Sequence, residues 1–192
     1  TGYLGSAEIC AVAAEALARW RRAHPALRLA CDPVIGDTAK GLYVRPALAA
    51  LIRDRLVPMA DIVFPNLFEL QWLTGVAVDS EETLTRAIAA LHRMGPGTVV
   101  VTSVELAGDC AATGFAASTG ESVRRLVQPR LAGAFSGAGD CFAAMCLVHW
   151  LGGVGLDGAV ARAGAAIHAL VRLTGQLNRS ALALIEGQDL IS

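Results

Sequence analysis

The chain has 192 residues, a formal net charge of −1 and 54% hydrophobic residues, enough for one domain with a sizeable core. That near-neutral balance gives no electrostatic reason to expect nucleic acid or an anionic membrane as partner. Mean hydropathy is +0.50, yet Gly, Arg or His interrupts each apolar run before the ~18 residues that a membrane span needs.

Residues 6–22 are rich in Ala and Leu with Glu and Arg interspersed, and Ser6 can cap them, which predicts a helix. Residues 27–31 form a short apolar run ending at Asp32-Pro33, a buried strand and its exit. Residues 35–45 carry Gly and Asp and read as loop. A helix is expected over 46–56 with Pro46 in its first turn. A strand over 61–64 ends at Pro65, and a helix over 66–73 stops at Gly75. Ser80, followed by Glu81 and Glu82, opens a helix over 80–94 that Gly95-Pro96-Gly97 ends. Thr98-Val99-Val100-Val101-Thr102 is β-branched throughout, as in a strand buried on both faces of a parallel sheet. Residues 110–117 and 122–128 flank Ser118-Thr119-Gly120-Glu121 and predict an antiparallel hairpin. Helices over 139–150, 156–173 and 180–186 close the chain. Cys10, Cys31, Cys110, Cys141 and Cys146 form no C-x-x-C pair and sit mostly in apolar segments, so a reduced cytoplasmic setting without zinc or disulfides is expected.

Alternating strands and helices predict an α/β fold with a mainly parallel sheet and right-handed crossovers. Ligands of such sheets bind beyond the carboxyl ends of the strands. The polar residues fall there. Asp32 follows the first strand, Asn66 and Glu69 the second, Thr102 and Ser103 the third, and Asp140 opens the helix after the hairpin. Gly137-Ala138-Gly139 before that helix lets successive N–H groups converge where the helix dipole is positive, a place for an anion or for developing negative charge. A carboxylate beside it, Asp140, can take a proton from an attacking hydroxyl. These are the two functions that phosphoryl transfer needs, with a metal to hold the nucleotide. Asn66 and Glu69, one helical turn apart, suit a water-mediated Mg²⁺ site, and Asp32 is a further candidate for metal or nucleotide. Thr102 and Ser103 offer hydroxyls to a phosphate.

Each residue also has a plainer reading when taken singly. Gly137-Ala138-Gly139-Asp140 can be a helix start, Asn66 an N-cap, Glu69 a solvated helix residue and Asp32-Pro33 a turn. His24, His92, His149 and His168 show no ligand spacing. The weight lies in four strand ends carrying complementary groups.

Phe135-Ser136-Gly137-Ala138-Gly139-Asp140 resembles the G-x-G-D anion hole and catalytic Asp of the ribokinase-like kinases, and Asn66-Leu67-Phe68-Glu69 resembles their N-x-x-E magnesium motif. Thr1-Gly2-Tyr3-Leu4-Gly5-Ser6, Asp32-Pro33-Val34-Ile35-Gly36-Asp37 and Gly41-Leu42-Tyr43-Val44 narrow the resemblance to the pyridoxal kinase family. The resemblance implies a three-layer α/β/α fold with a mainly parallel sheet and a C-terminal antiparallel hairpin. It implies ATP-dependent phosphorylation of the 5′-hydroxyl of pyridoxal, and of pyridoxine and pyridoxamine, in vitamin B6 salvage. Under it, Asp140 is the base, residues 137–140 stabilise the transferring phosphoryl, and Asp32 and Glu69 organise Mg²⁺ with Asn66 nearby. Asp32, Thr102 and Ser103 contact ATP, Pro129, Arg130 and Leu131 border the nucleotide, and Tyr3 and Tyr43 approach the pyridine ring.

Members of that family carry a further portion before the T-G-Y segment, with several strands, vitamin contacts and the surface of a homodimer. Residues 1–192 are therefore expected to be one kinase domain lacking its N-terminal part, poorly stable and weakly active alone. Two other readings stand beside it: a hydroxymethylpyrimidine kinase of the same superfamily, and a non-catalytic nucleotide-binding fragment.

Overall fold

The computed structural model describes residues 1–105, 112–130 and 137–191. The Ser6 hydroxyl accepts the N–H of Ile9 at 3.3 Å and starts helix α1, Ala7–Ala23. Strand β1, Ala30–Cys31, follows, then a two-stranded antiparallel ribbon of β2, Gly36–Asp37, and β3, Gly41–Leu42. Helix α2, Pro46–Leu51, leads to β4, Ile62–Val63, and to α3, Leu67–Thr74, which ends on Gly75 in the left-handed conformation (φ 70°). Next come α4, Glu81–Arg93, and β5, Thr98–Val101. The hairpin is β6, Ala112–Ser118, with β7, Val123–Pro129, and the helices α5, Ala138–Leu151, and α6, Leu156–Gln176, complete the layers.

The sheet order is β1-β4-β5-β6-β7. Strands β1, β4 and β5 pair in parallel, whereas β6 runs antiparallel to both neighbours. Strand β7 therefore points the same way as β5, and Pro129 comes to the same edge as Thr102. Side chains alternate between faces as strand geometry requires. Val63, Val99, Val101 and Ala116 pack with Ala14, Leu48, Leu70, Leu84 and Leu91 on one face. Ile62, Phe64, Val100, Phe115 and Ala117 pack with Phe142, Cys146, Ala163 and Leu170 on the other. Helices on both faces give the expected three-layer α/β/α architecture. Among the described residues no helix is long and apolar enough to cross a membrane.

Three expectations need correction. Residues 35–45 form the β2–β3 ribbon, whose two-residue strands are too short to show a period. The helix over 46–56 is α-helical only to Leu51. It widens into a π-helix, Ile52–Leu56, and a 3-10 turn, Val57–Met59, with Ile52, Leu56 and Val57 all buried; Pro58, which has no N–H, prevents continuation. Residues 180–186 are not a helix: the Leu184 N–H bonds to the Leu182 carbonyl at 2.9 Å, two residues back, where a helix would bond it to residue 180, and the Ala183 N–H is tied to the buried Thr174 hydroxyl of α6 at 3.1 Å. Only the turn Gln188–Leu190 is helical there, as a 3-10 helix. Of the expected hairpin, residues 110 and 111 lie outside the described residues.

Candidate active site

Two helix N-termini and four strand ends meet at the carboxyl edge of the sheet. The first helix is α3. Its N-cap Asn66 accepts the Glu69 N–H through Oδ1 at 2.9 Å, and Glu69 Oε2 accepts the Asn66 N–H at 2.9 Å, a complete capping box. Both side chains also reach outward. Asn66 Nδ2 donates to the Gly36 carbonyl at 2.8 Å, and Glu69 Oε1 accepts from the N–H groups of Ile35 (2.8 Å) and Gly36 (3.4 Å). Glu69 is only 2% exposed. Gly36 admits no side chain, since a Cβ there would lie 2.4 Å from Phe68 and 2.6 Å from the Gly41 carbonyl. Asn66 also bridges in parallel to Thr102, beside exposed Ser103, whose backbone is in the left-handed region (φ 52°). Val34, on the other flank of the edge, is likewise left-handed (φ 45°), and such backbone concentrates at functional sites.

The second helix is α5. Gly137 precedes it with φ 88°, no side chain caps it, and the first amide of the helix turn to find an intrahelical acceptor is Cys141, bonded to the Gly137 carbonyl at 2.9 Å. A Cβ at Gly137 or Gly139 would meet nothing within 4 Å. Residues 137–140 thus supply the N–H groups that a helix start leaves without intrahelical partners. Two residues along, Phe142 is buried between Phe115, stacked at 4.3 Å, and Phe64, edge-on at 6.5 Å, which fixes the helix start against the sheet. Asp140 is exposed, and among the described residues its carboxylate meets no hydrogen-bond donor.

Electrostatics joins the two helices. Burial, then the charges of Glu69 and Asp140, pushes Asp32 up to about 7. Burial also pushes Glu69 up to about 7, against the pull of its three backbone N–H donors, and Asp37 adds to the rise. The Tyr43 phenol is pushed up to about 12 by partial burial and then by Glu69, Asp37, Asp32 and Asp140. These five groups thus share one neighbourhood.

The expected residues distribute unequally. Asp32, Asn66, Glu69, Thr102, Tyr43 and Asp140 come together. Ser103 follows Thr102 at the same edge. Tyr3 is 64% exposed, two residues after Thr1, whose carbonyl accepts the Asp32 N–H at 2.9 Å. Pro129 ends β7 at this edge, and Arg130 pairs with Glu105 at 3.0 Å, which links it to the segment after Ser103. Leu131, Phe135, Ser136 and Cys110 lie outside the described residues. Sequence reasoning quoted Ile35, Gly36 and Asp37 within the segment 32–37 but gave them, and Glu105, no place in the site. The Gly-Asp pair at 36–37 was the one available signal. Two surface depressions lie elsewhere, one of 530 Å³ beside Val12, Arg19 and Arg55 and one of 340 Å³ beside Ser118, Arg124 and Asp157.

The comparisons with known proteins agree with one another. The model of the phosphomethylpyrimidine kinase family matches residues 1–184. The pyridoxal kinase PdxY of Leifsonia xyli is 37% identical over 98% of this chain and 67% of its own length. That of Rubrobacter xylanophilus is 37% identical over 98% and 66%. Among solved structures, the pyridoxal kinase of Entamoeba histolytica superposes with a TM-score of 0.89 at 26% identity, covering 99% of this chain and 67% of that one. The pyridoxal kinase of Leishmania donovani in complex with ADP and pyridoxine superposes with 0.88 at 29% identity, covering 100% and 68%. The chain thus spans about two thirds of the length of these relatives.

Proposed function

This chain belongs to the pyridoxal kinase family, within the wider phosphomethylpyrimidine kinase family, and from that premise we propose that it acts in ATP-dependent phosphorylation of the 5′-hydroxyl of pyridoxal, pyridoxine and pyridoxamine. The observation that carries this reading is Asp140 at the uncapped start of α5, behind Gly137 and Gly139 and close enough to Asp32 and Tyr43 to shift their protonation.

The geometry supports a division of labour. The open amides of residues 137–140 receive the transferring phosphoryl group and the charge that grows on it. Asp140 accepts the proton of the attacking hydroxyl. Thr102 and Ser103 offer hydroxyls to the nucleotide phosphates, and Arg130 borders the nucleotide. Tyr43, 44% exposed above the carboxylates, and Tyr3 line the acceptor side.

Mg²⁺ supplies charge neutralisation and orientation of the phosphates when bound in a kinase. Among the described residues no group of three His, Cys, Asp or Glu gathers as a metal cage. Asp32 fits as a protein ligand, because the neighbouring acids that raise its proton affinity also favour a cation beside it.

The test is ADP release from Mg-ATP that depends on added pyridoxal, with Asp140→Asn alongside. Turnover that the substitution removes supports the reading; nucleotide binding without turnover overturns it. The match to the phosphomethylpyrimidine kinase model favours one second reading, hydroxymethylpyrimidine as the acceptor. Parallel assays with the two acceptors separate them.

A further inference from the structure

Glu69 has little left to offer a metal ion. Each carboxylate oxygen has two acceptor directions. Oε1 fills both, with the amides of Ile35 and Gly36, and Oε2 fills one with the amide of Asn66. The side chain is 2% exposed. An ion that took Oε1 would displace backbone N–H groups that have no water to turn to, and the one open direction of Oε2 belongs to a side chain shut off from solvent. The same donors lead away from the nucleotide. The Ile35 carbonyl accepts the Tyr43 N–H at 3.1 Å, and Gly36 pairs with Leu42 across the ribbon. Asn66 Nδ2 grips the Gly36 carbonyl at 2.8 Å, and Phe68 fills the space a side chain at residue 36 would need. Asn66, Phe68 and Glu69 thus hold the ribbon from one helical turn.

We propose that Glu69 is a positioning residue that, with Asn66, clamps the Ile35–Gly36 backbone and through it the β2–β3 ribbon carrying Tyr43, and that it does not ligate Mg²⁺. The proposal rests on the kinase reading for its functional consequence: Glu69 governs binding of the acceptor, not the nucleotide or the metal. Its structural half stands alone.

Glu69→Gln is the informative variant. An amide keeps one acceptor oxygen but turns an NH₂ toward an N–H, so one arm of the clamp is lost. Two measurements are made on the full chain, amide hydrogen exchange and steady-state kinetics with Mg²⁺ titration. We expect faster exchange at Ile35, Gly36 and Tyr43. We also expect KM for pyridoxal to rise about tenfold, the signature of lost acceptor binding, with KM for ATP and the half-saturating Mg²⁺ concentration unchanged. A Mg²⁺ requirement raised about tenfold, with rate restored by excess Mg²⁺, would overturn the proposal. So would unchanged protection of the Ile35 and Gly36 amides. If the wild-type chain releases no ADP with pyridoxal, the kinase reading fails, and the exchange measurement still decides the clamp. If Glu69→Gln does not fold, Asn66→Ser carries the same test. It keeps a capping hydroxyl but loses the donor to Gly36, so acceptor KM must move and the Mg²⁺ response must not.

Discussion

Helices α3 and α5 begin at the same edge of the sheet and solve the same problem in opposite ways. Each starts with backbone N–H groups that have no intrahelical acceptor. Helix α3 satisfies two of them, the Asn66 and Glu69 amides, with its own Asn66 and Glu69 side chains, and both side chains also reach the neighbouring ribbon. Helix α5 has a glycine where a cap would be, a second glycine in its first turn, and open space around both. A capped N-terminus is a structural joint, whereas an uncapped one beside a carboxylate is a place for an anion. The difference separates the wall of the site from its reacting centre, although both motifs read alike in sequence as a polar residue opening an apolar helix.

The largest expected effect lies at α5. Asp140→Asn should lower kcat by about 10²–10⁴, the usual worth of a general base, and leave the melting temperature and nucleotide binding where they are. A drop in melting temperature comparable to that of a core variant would make α5 a structural joint like α3 and erase the contrast.

A pair of glycine variants sharpens it. Gly36→Ala drives a methyl against Phe68 and the Gly41 carbonyl, so it should cost about 1–3 kcal/mol in denaturant unfolding, as overpacking does. Gly139→Ala has nothing to strike and replaces a poor helix former with the best one, worth up to about 1 kcal/mol in favour of the fold. It should nonetheless slow phosphoryl transfer, because the methyl enters the cradle. Stability lost at residue 36 and rate lost at residue 139 are the two sides of the comparison. The reverse pattern would refute it.

The acids between the helices give a smaller and pH-dependent effect. Asp32 rises from 3.8 to about 7 and Glu69 from 4.5 to about 7 on folding. The folded chain then binds more protons than the unfolded one between about pH 4 and pH 7. Stability is therefore fully present below the unfolded values and is lost as pH climbs through about 7. Melting temperature should therefore fall as pH rises across that window. Asp32→Asn should flatten part of the slope, and a slope unchanged by it would mean that Asp32 is not among the groups responsible.

Much of this was legible beforehand, and for identifiable reasons. Helix α4 announces itself through Ser80, two acids and a full amphipathic period, and β5 through four consecutive β-branched residues. Asp32, Asn66, Thr102 and Asp140 were readable because the carboxyl edge of a parallel sheet is where such residues gather. The ribbon was not, since two-residue strands carry no period and Gly36 is fixed by Phe68, a contact thirty-two residues away in sequence. Nor was the state of Glu69. N-x-x-E spells a capping box and a magnesium motif with the same letters, and only the positions of the Ile35 and Gly36 amides show where its oxygens point. The expectation at residues 180–186 failed because its helical composition is overruled by a tight turn, in which the Leu184 N–H bonds to the Leu182 carbonyl rather than to residue 180.

The smallest expected effect tests whether the nucleotide side is as rigid as the acceptor side. Arg130 leaves the end of β7 and meets Glu105 at 3.0 Å, with both side chains roughly half exposed. Such a pair is worth no more than about 1 kcal/mol and is weakened by salt. Arg130→Ala should thus barely move the melting temperature. Two mechanisms can still raise KM for ATP. If the ion pair holds the segment after Ser103 in place, Glu105→Ala and high salt should each reproduce the rise, because both remove the same tie. If the guanidinium meets the nucleotide itself, Arg130→Ala should raise KM while Glu105→Ala leaves it alone or lowers it, since the freed guanidinium can turn wholly to phosphate. The first outcome would give the nucleotide side a joint of its own, weaker than the one Glu69 makes because solvent reaches it. The second would set Arg130 beside the α5 amides, among groups that meet an arriving anion, at the cost of its pairing with Glu105.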